Sequence, residues 1–199
     1  MNFKNLSLAV YVLFACSACS QSNQADASER VAFSCDTSEL NGETVPAIVV
    51  NNPELSEALT VIYFDPKNNY FGGEWTPEKR CQEVSNRFQA IYDRDSLEYI
   101  TVDRAQWITD KEVDVVCSVK KEGAKCEEDD LLFTLQTEDD PNQVLDDFMA
   151  FRKAPSQNKA LTRSAEKPTF DAGNRVFYDF AGALESAQSA ETVEQKPGF

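Results

Sequence analysis

Six cysteines and no histidine set the chemistry open to this chain. Without an imidazole, neither a Ser-His-Asp nor a Cys-His nucleophile can be assembled. Zinc is also a poor fit: Cys35, Cys81, Cys117 and Cys126 show no Cys-x-x-Cys spacing. An even set of four in an exported domain suggests two disulfides made in an oxidising compartment. Four cysteines allow three pairings. Cys117 and Cys126 flank the polar, turn-like Lys120-Lys121-Glu122-Gly123, so they are predicted to face each other across a hairpin. That leaves Cys35 for Cys81. In the loop-entropy picture the long link stabilises by about 4 kcal/mol and the short one by about 2.5 kcal/mol.

Carboxylates are the other abundant group. Asp and Glu number 34 against 19 Lys and Arg, for a net charge of −15. Such a chain is self-repelling and poorly suited to nucleic acid or an anionic lipid surface. Acids cluster at Glu127-Glu128-Asp129-Asp130, at Glu138-Asp139-Asp140 and at Asp146-Asp147. No Asp-x-Asp-x-Asp-Gly calcium loop is present, and a solvated acidic rim accounts for these runs. Two carboxylates could serve a small secreted hydrolase, but no spacing fixes a pair at a working separation. No glycine-rich phosphate loop occurs, and nothing calls for a cofactor.

The first two cysteines belong to a different chemistry. Lys4 precedes the apolar run Leu6–Ala15, which is short for a bilayer span and reads as an export signal. Leu13-Phe14-Ala15-Cys16 resembles a lipobox, in which the cysteine receives a thioether-linked lipid after cleavage. Phe14 is bulky for that pattern. Cys19, after Ser17-Ala18, is the alternative acceptor, and an ordinary signal peptide cut near Ala25 or Ala27 is the other reading. Residues 1–16 are therefore the signal and 17–29 a polar, flexible tether. Two or more acyl chains would anchor the mature protein stably.

The remaining elements must hold the four cysteines. Thr76-Pro77 starts a helix: Thr76 caps, and Pro77 fits the first helical position. Cys81, Val84, Phe88 and Ile91 share one face at steps of three and four, and the helix fades near Asp93–Ser96. Strands are predicted at Val31–Cys35, Glu43–Val50, Leu59–Phe64, Leu97–Val102, Glu112–Val119 and Leu131–Gln136. Asn41-Gly42 is a hairpin turn. Asp140-Pro141 breaks the chain before a second helix over Asn142–Arg152. This pattern predicts an α+β fold: one antiparallel sheet of five or six strands with a central and a C-terminal helix on one face. The domain is set at residues 30–153. Residues 154–199 are thin in apolar content and read as largely disordered, with one weakly docked turn at Phe170 and Val176–Phe180.

Two groups could bind something. Tyr70, Phe71 and Trp75 surround Gly72-Gly73 and could form an aromatic platform, or could close the core over the helix. Arg80 and Arg87 lie two turns apart and could clamp an anion, or could brace strand ends and pair with acids such as Glu83. Trp107 carries no usable signal.

The run Thr76-Pro77-Glu78-Lys79-Arg80-Cys81-Gln82-Glu83-Val84-Ser85-Asn86-Arg87-Phe88-Gln89 closely resembles the signature of the cyanobacterial circadian-oscillating polypeptide family. Phe33-Ser34-Cys35, Val115-Val116-Cys117, Cys126, Leu131–Leu135 and Asp140-Pro141 extend the resemblance over roughly residues 31–153. It implies an exported, membrane-associated protein whose expression follows the day–night cycle, and it implies no reaction. Taken together, the expectation is a lipid-anchored, non-catalytic binding or scaffolding protein at the periplasmic face of a membrane. Its expected contacts are that membrane, through the lipid, and an unidentified protein partner.

Overall fold

A computed structural model describes residues 30–53, 58–67, 74–149, 169–170 and 175–186. The α+β class holds, with every strand pairing antiparallel. The strands fall into two sheets where the sequence suggests one. Strands β1 (Ala32–Leu40), β2 (Glu43–Asn51) and β3 (Leu59–Tyr63) form a meander. Strands β4 (Tyr99–Ala105), β5 (Val113–Val119), β6 (Leu131–Thr134), β7 (Thr169–Phe170) and β8 (Val176–Asp179) form a second sheet in the order β6-β5-β4-β8-β7.

The first hairpin closes as its turn residues dictate. Asn41 and Gly42 both adopt positive φ, at 53° and 81°. Two successive left-handed residues give the turn whose twist matches the flanking strands, and asparagine and glycine tolerate it best. The result is an unbroken register from Leu40↔Glu43 to Ala32↔Asn51.

Helix α1 (Pro77–Asp93) forms between the sheets, touching β1 and β2 on one side and β6 on the other. The Thr76 hydroxyl accepts from the Lys79 N–H at 3.3 Å. Cys81, Val84, Phe88 and Ile91 are its buried face. Helix α2 (Pro141–Phe148) is capped by Asp140, which accepts from the backbone of Asn142 and Gln143, and it rests on β4.

One large core joins both sheets and the helices, and aromatic rings fill its centre. Phe88 lies 5.4 Å from Phe33, 6.1 Å from Phe148 and 5.9 Å from Phe180. Each such ring removed from water is worth about 1.5–3 kcal/mol. A smaller core lies on the opposite face of the five-stranded sheet. It holds Ala105, Val115, Cys117, Val119, Cys126 and Phe177.

Where the sequence suggests one weakly docked turn at Phe170 and Val176–Phe180, the structure has strands β7 and β8. Strand β8 sits beside β4 within the larger sheet, and a helix α3 follows over residues 180–186. Phe180 is fully buried, stacked on Phe148 at 5.7 Å, and its N–H donates to the Glu98 carbonyl. Asp179 accepts from the Gly182 N–H and so caps α3, and a Cβ at residue 182 would stand 2.6 Å from that carboxylate. Average composition hides this segment because a few residues do the docking: Val176, Phe177, Tyr178, Phe180, Ala183 and Leu184. Residues 154–168, 171–174 and 187–199 lie outside the described residues, as do the signal and tether at 1–29.

Candidate functional site

The four downstream cysteines are two disulfides, paired as expected. Cys35–Cys81 ties β1 to α1, with Cα atoms 5.5 Å apart. Its surroundings repeat the link without sulfur: the Phe33 N–H donates to the Gln89 side chain at 2.7 Å, and Phe33 stacks on Phe88. Cys117–Cys126 has Cα atoms 5.9 Å apart. Here the hairpin picture needs adjusting. The residue opposite Cys117 on β6 is Leu131, and Cys126 belongs to the connection that folds over the smaller core. The nine-residue separation is long enough for the loop to turn back across the sheet face rather than run beside β5.

A polar cluster holds that loop in place. The Cys126 N–H donates to Asp103 Oδ2 at 3.2 Å. The same oxygen accepts from Arg175 at 2.8 Å, and both side chains are about three-quarters covered. The Arg175 guanidinium also donates to the carbonyls of Ala124 and Gly123, each at 3.1 Å, and lies 5.1 Å from the Phe177 ring. Sequence reasoning missed this group. Asp103 and Arg175 are 72 positions apart, and only the short apolar run Val176–Tyr178 hinted that a strand follows Arg175.

The aromatic and arginine groups are placed less simply. Tyr70 and Phe71 lie outside the described residues. Trp75 stays partly exposed beside the α1 N-terminus, with Lys79 Nζ 4.9 Å from its ring. Arg80 turns to the Phe64 ring, 5.9 Å away, and burial pushes its pKa down. Arg87 turns elsewhere: it donates to the Leu132 carbonyl at 3.2 Å and pairs with Glu83 at 3.0 Å. The two arginines therefore serve different neighbours, Phe64 just after β3 and Leu132 on β6. Lys67 pairs with Glu43, whose hydrogen bond holds its pKa above the ordinary value.

Many of the clustered acids have structural tasks. Asp140 caps α2, and Asp139 accepts from the Gln136 N–H. Asp146 accepts from the Tyr178 hydroxyl, joining α2 to β8. Asp130 lies 3.6 Å from Arg94; burial raises its pKa, and the arginine draws it back. A shallow cleft of about 280 Å³ is lined by Arg104, Glu112, Val113, Asp114, Leu135, Gln136 and Thr137. Its two carboxylates both ion-pair with Arg104, at 3.3 and 3.6 Å. A hydrolytic pair needs one carboxyl poised as an acid and the other facing substrate; a shared guanidinium serves neither role. Trp107 and Ile108, at the β4–β5 connection, are partly exposed.

Among the described residues no helix is long and apolar enough to cross a membrane. No curated protein and no solved structure matches the chain. A family model described as circadian oscillating protein COP23 matches residues 32–185, which includes all four disulfide cysteines, β8 and nearly all of α3. The chain belongs to the circadian oscillating protein COP23 family.

Proposed function

We propose that this protein is exported, lipid-anchored through Cys16, and acts as a non-catalytic binding or scaffolding protein at the periplasmic face of a membrane. The observation that carries the reading is the pair of disulfides. They account for every cysteine downstream of Cys19, as a domain matured in an oxidising compartment requires. The apolar run before Cys16 supplies the export signal, and the polar residues 17–29 supply the tether. The acidic surface keeps the domain off anionic headgroups, so attachment falls to the lipid. Binding falls to the partly exposed aromatics, Trp75 among them, rather than to a catalytic cleft.

Intact-mass analysis of the membrane fraction tests this. The expected species begins at Cys16, carries acyl chains, and gains four hydrogens on reduction. A soluble, uncleaved chain with four free thiols in residues 30–186 would sink the proposal. Chemical cross-linking on intact membranes then identifies the partner.

A further inference from the structure

The two disulfides are not equivalent, and the difference lies in what each one holds. Cys35–Cys81 sits where β1 and α1 are already joined by stacked rings and a hydrogen bond from the Phe33 N–H to the Gln89 side chain. Cys117–Cys126 fixes a loop that has another client. Gly123 and Ala124 of that loop accept from Arg175, the residue immediately before β8. Asp103 takes the Cys126 N–H and the Arg175 guanidinium on one oxygen. Cys117, Thr101 and Phe177 also lie in one row across β5, β4 and β8. The smaller core that the loop covers therefore includes the first part of the C-terminal strand.

The geometry points to a redox-releasable strand: the Cys117–Cys126 bond is a latch on the Arg175 end of β8. With the bond made, the loop presents two carbonyls and a shared carboxylate to Arg175. With the bond cut, the loop from Lys120 to Cys126 regains its freedom, and those acceptors are no longer held in one place. The far end of β8 stays fixed independently. Tyr178 bonds Asp146, and Phe180 is locked among Phe33, Phe88 and Phe148. The strand thus opens from residue 175, against the Thr101 hydroxyl on the Val176 carbonyl and the β7 pairing that also hold its start, and pivots near residue 180.

The chemistry is a two-electron exchange with a dithiol. Both cysteines are buried, and Cys126, at 6% against 0% for Cys117, is the less covered and is assigned as the point of attack. The incoming thiolate forms a mixed disulfide with Cys126 Sγ, and Cys117 Sγ departs with the bonding pair and takes a proton. The second thiol of the reagent displaces Cys126 Sγ, which is protonated in turn. The dithiol leaves as a disulfide, having supplied two electrons and two protons.

Hydrogen exchange on the full chain tests the latch, with dithiothreitol as the reductant and alkylation reporting which cysteines have opened. Cutting Cys117–Cys126, by reductant or by C117S/C126S, is expected to speed exchange at residues 175–178 about tenfold while α1 is unchanged. R175Q with both disulfides intact is expected to speed the same amides. C35S/C81S is expected to leave residues 175–178 no more exposed than the rest of the fold. Unchanged protection at residues 175–178 in the reduced chain overturns the proposal, as does an equal rise in α1 and β5, which would make the bond a general staple. If C117S/C126S does not fold, the titrated native chain and R175Q decide.

Discussion

Arg87 shows how a surface-facing side chain becomes structural. One nitrogen closes on Glu83 one turn back, and another reaches the Leu132 carbonyl at β6. The i,i+4 pair alone is worth a few tenths of a kcal/mol. The reach to β6 matters more, because it ties the helix to the larger sheet. Arg87→Met keeps the aliphatic stem and removes both bonds. It is expected to cost about 1–2 kcal/mol in urea unfolding, with little change in slope; a cost near zero would make the contact ornamental. Asp130 supplies a pH effect of definite sign. Burial raises its folded pKa above the ordinary 3.8, so the folded chain holds that proton more tightly than the unfolded chain. Its contribution to stability is therefore full below that value and is lost as pH rises through the raised one. Asp130→Asn removes this dependence. The variant's Tm relative to the parent is expected to climb from pH 4 upward until the carboxyl is fully ionised, and a flat difference would contradict the assignment.

Among the elements, α1 was the most legible because its signals are local. Thr76, Pro77 and the spacing of Cys81, Val84, Phe88 and Ile91 all act within a few residues, and the helix runs over Pro77–Asp93 as they dictate. Thr76→Ala should cost about 1 kcal/mol, while Thr76→Ser should recover most of it, both read from thermal unfolding. The Asn41-Gly42 turn was legible for the same reason. Division of the strands into two sheets was not, because which strands pair depends on contacts far along the chain. Cys126 is a middle case: its partner followed from spacing, but its position over the sheet face depends on Asp103 and Arg175, which no local pattern links to it. The candidate binding groups fared similarly. Residue type marked Arg80 and Arg87, but only the fold shows that they turn to Phe64 and to Leu132.

At the scale of the whole molecule, strand β8 decides whether the larger core is complete. Phe180 closes the aromatic cluster formed by Phe33, Phe88 and Phe148, and Thr101 donates its buried hydroxyl to the Val176 carbonyl. A chain ended after residue 153, the boundary that composition suggests, lacks all of this. Losing one such buried ring costs about 3–5 kcal/mol, a large share of a typical domain's stability. Truncation there is expected to abolish cooperative unfolding and near-ultraviolet circular dichroism, whereas ending the chain after residue 186 preserves both. A cooperative transition in the shorter chain would show that β8 is an accessory. The position of β8 also sets an order of events. A polypeptide emerges amino end first, and the β4 edge that receives β8 stays vacant until residues 176–179 have been made. Until then the chain lacks the ring that closes its aromatic cluster, and the larger core stays open on that side.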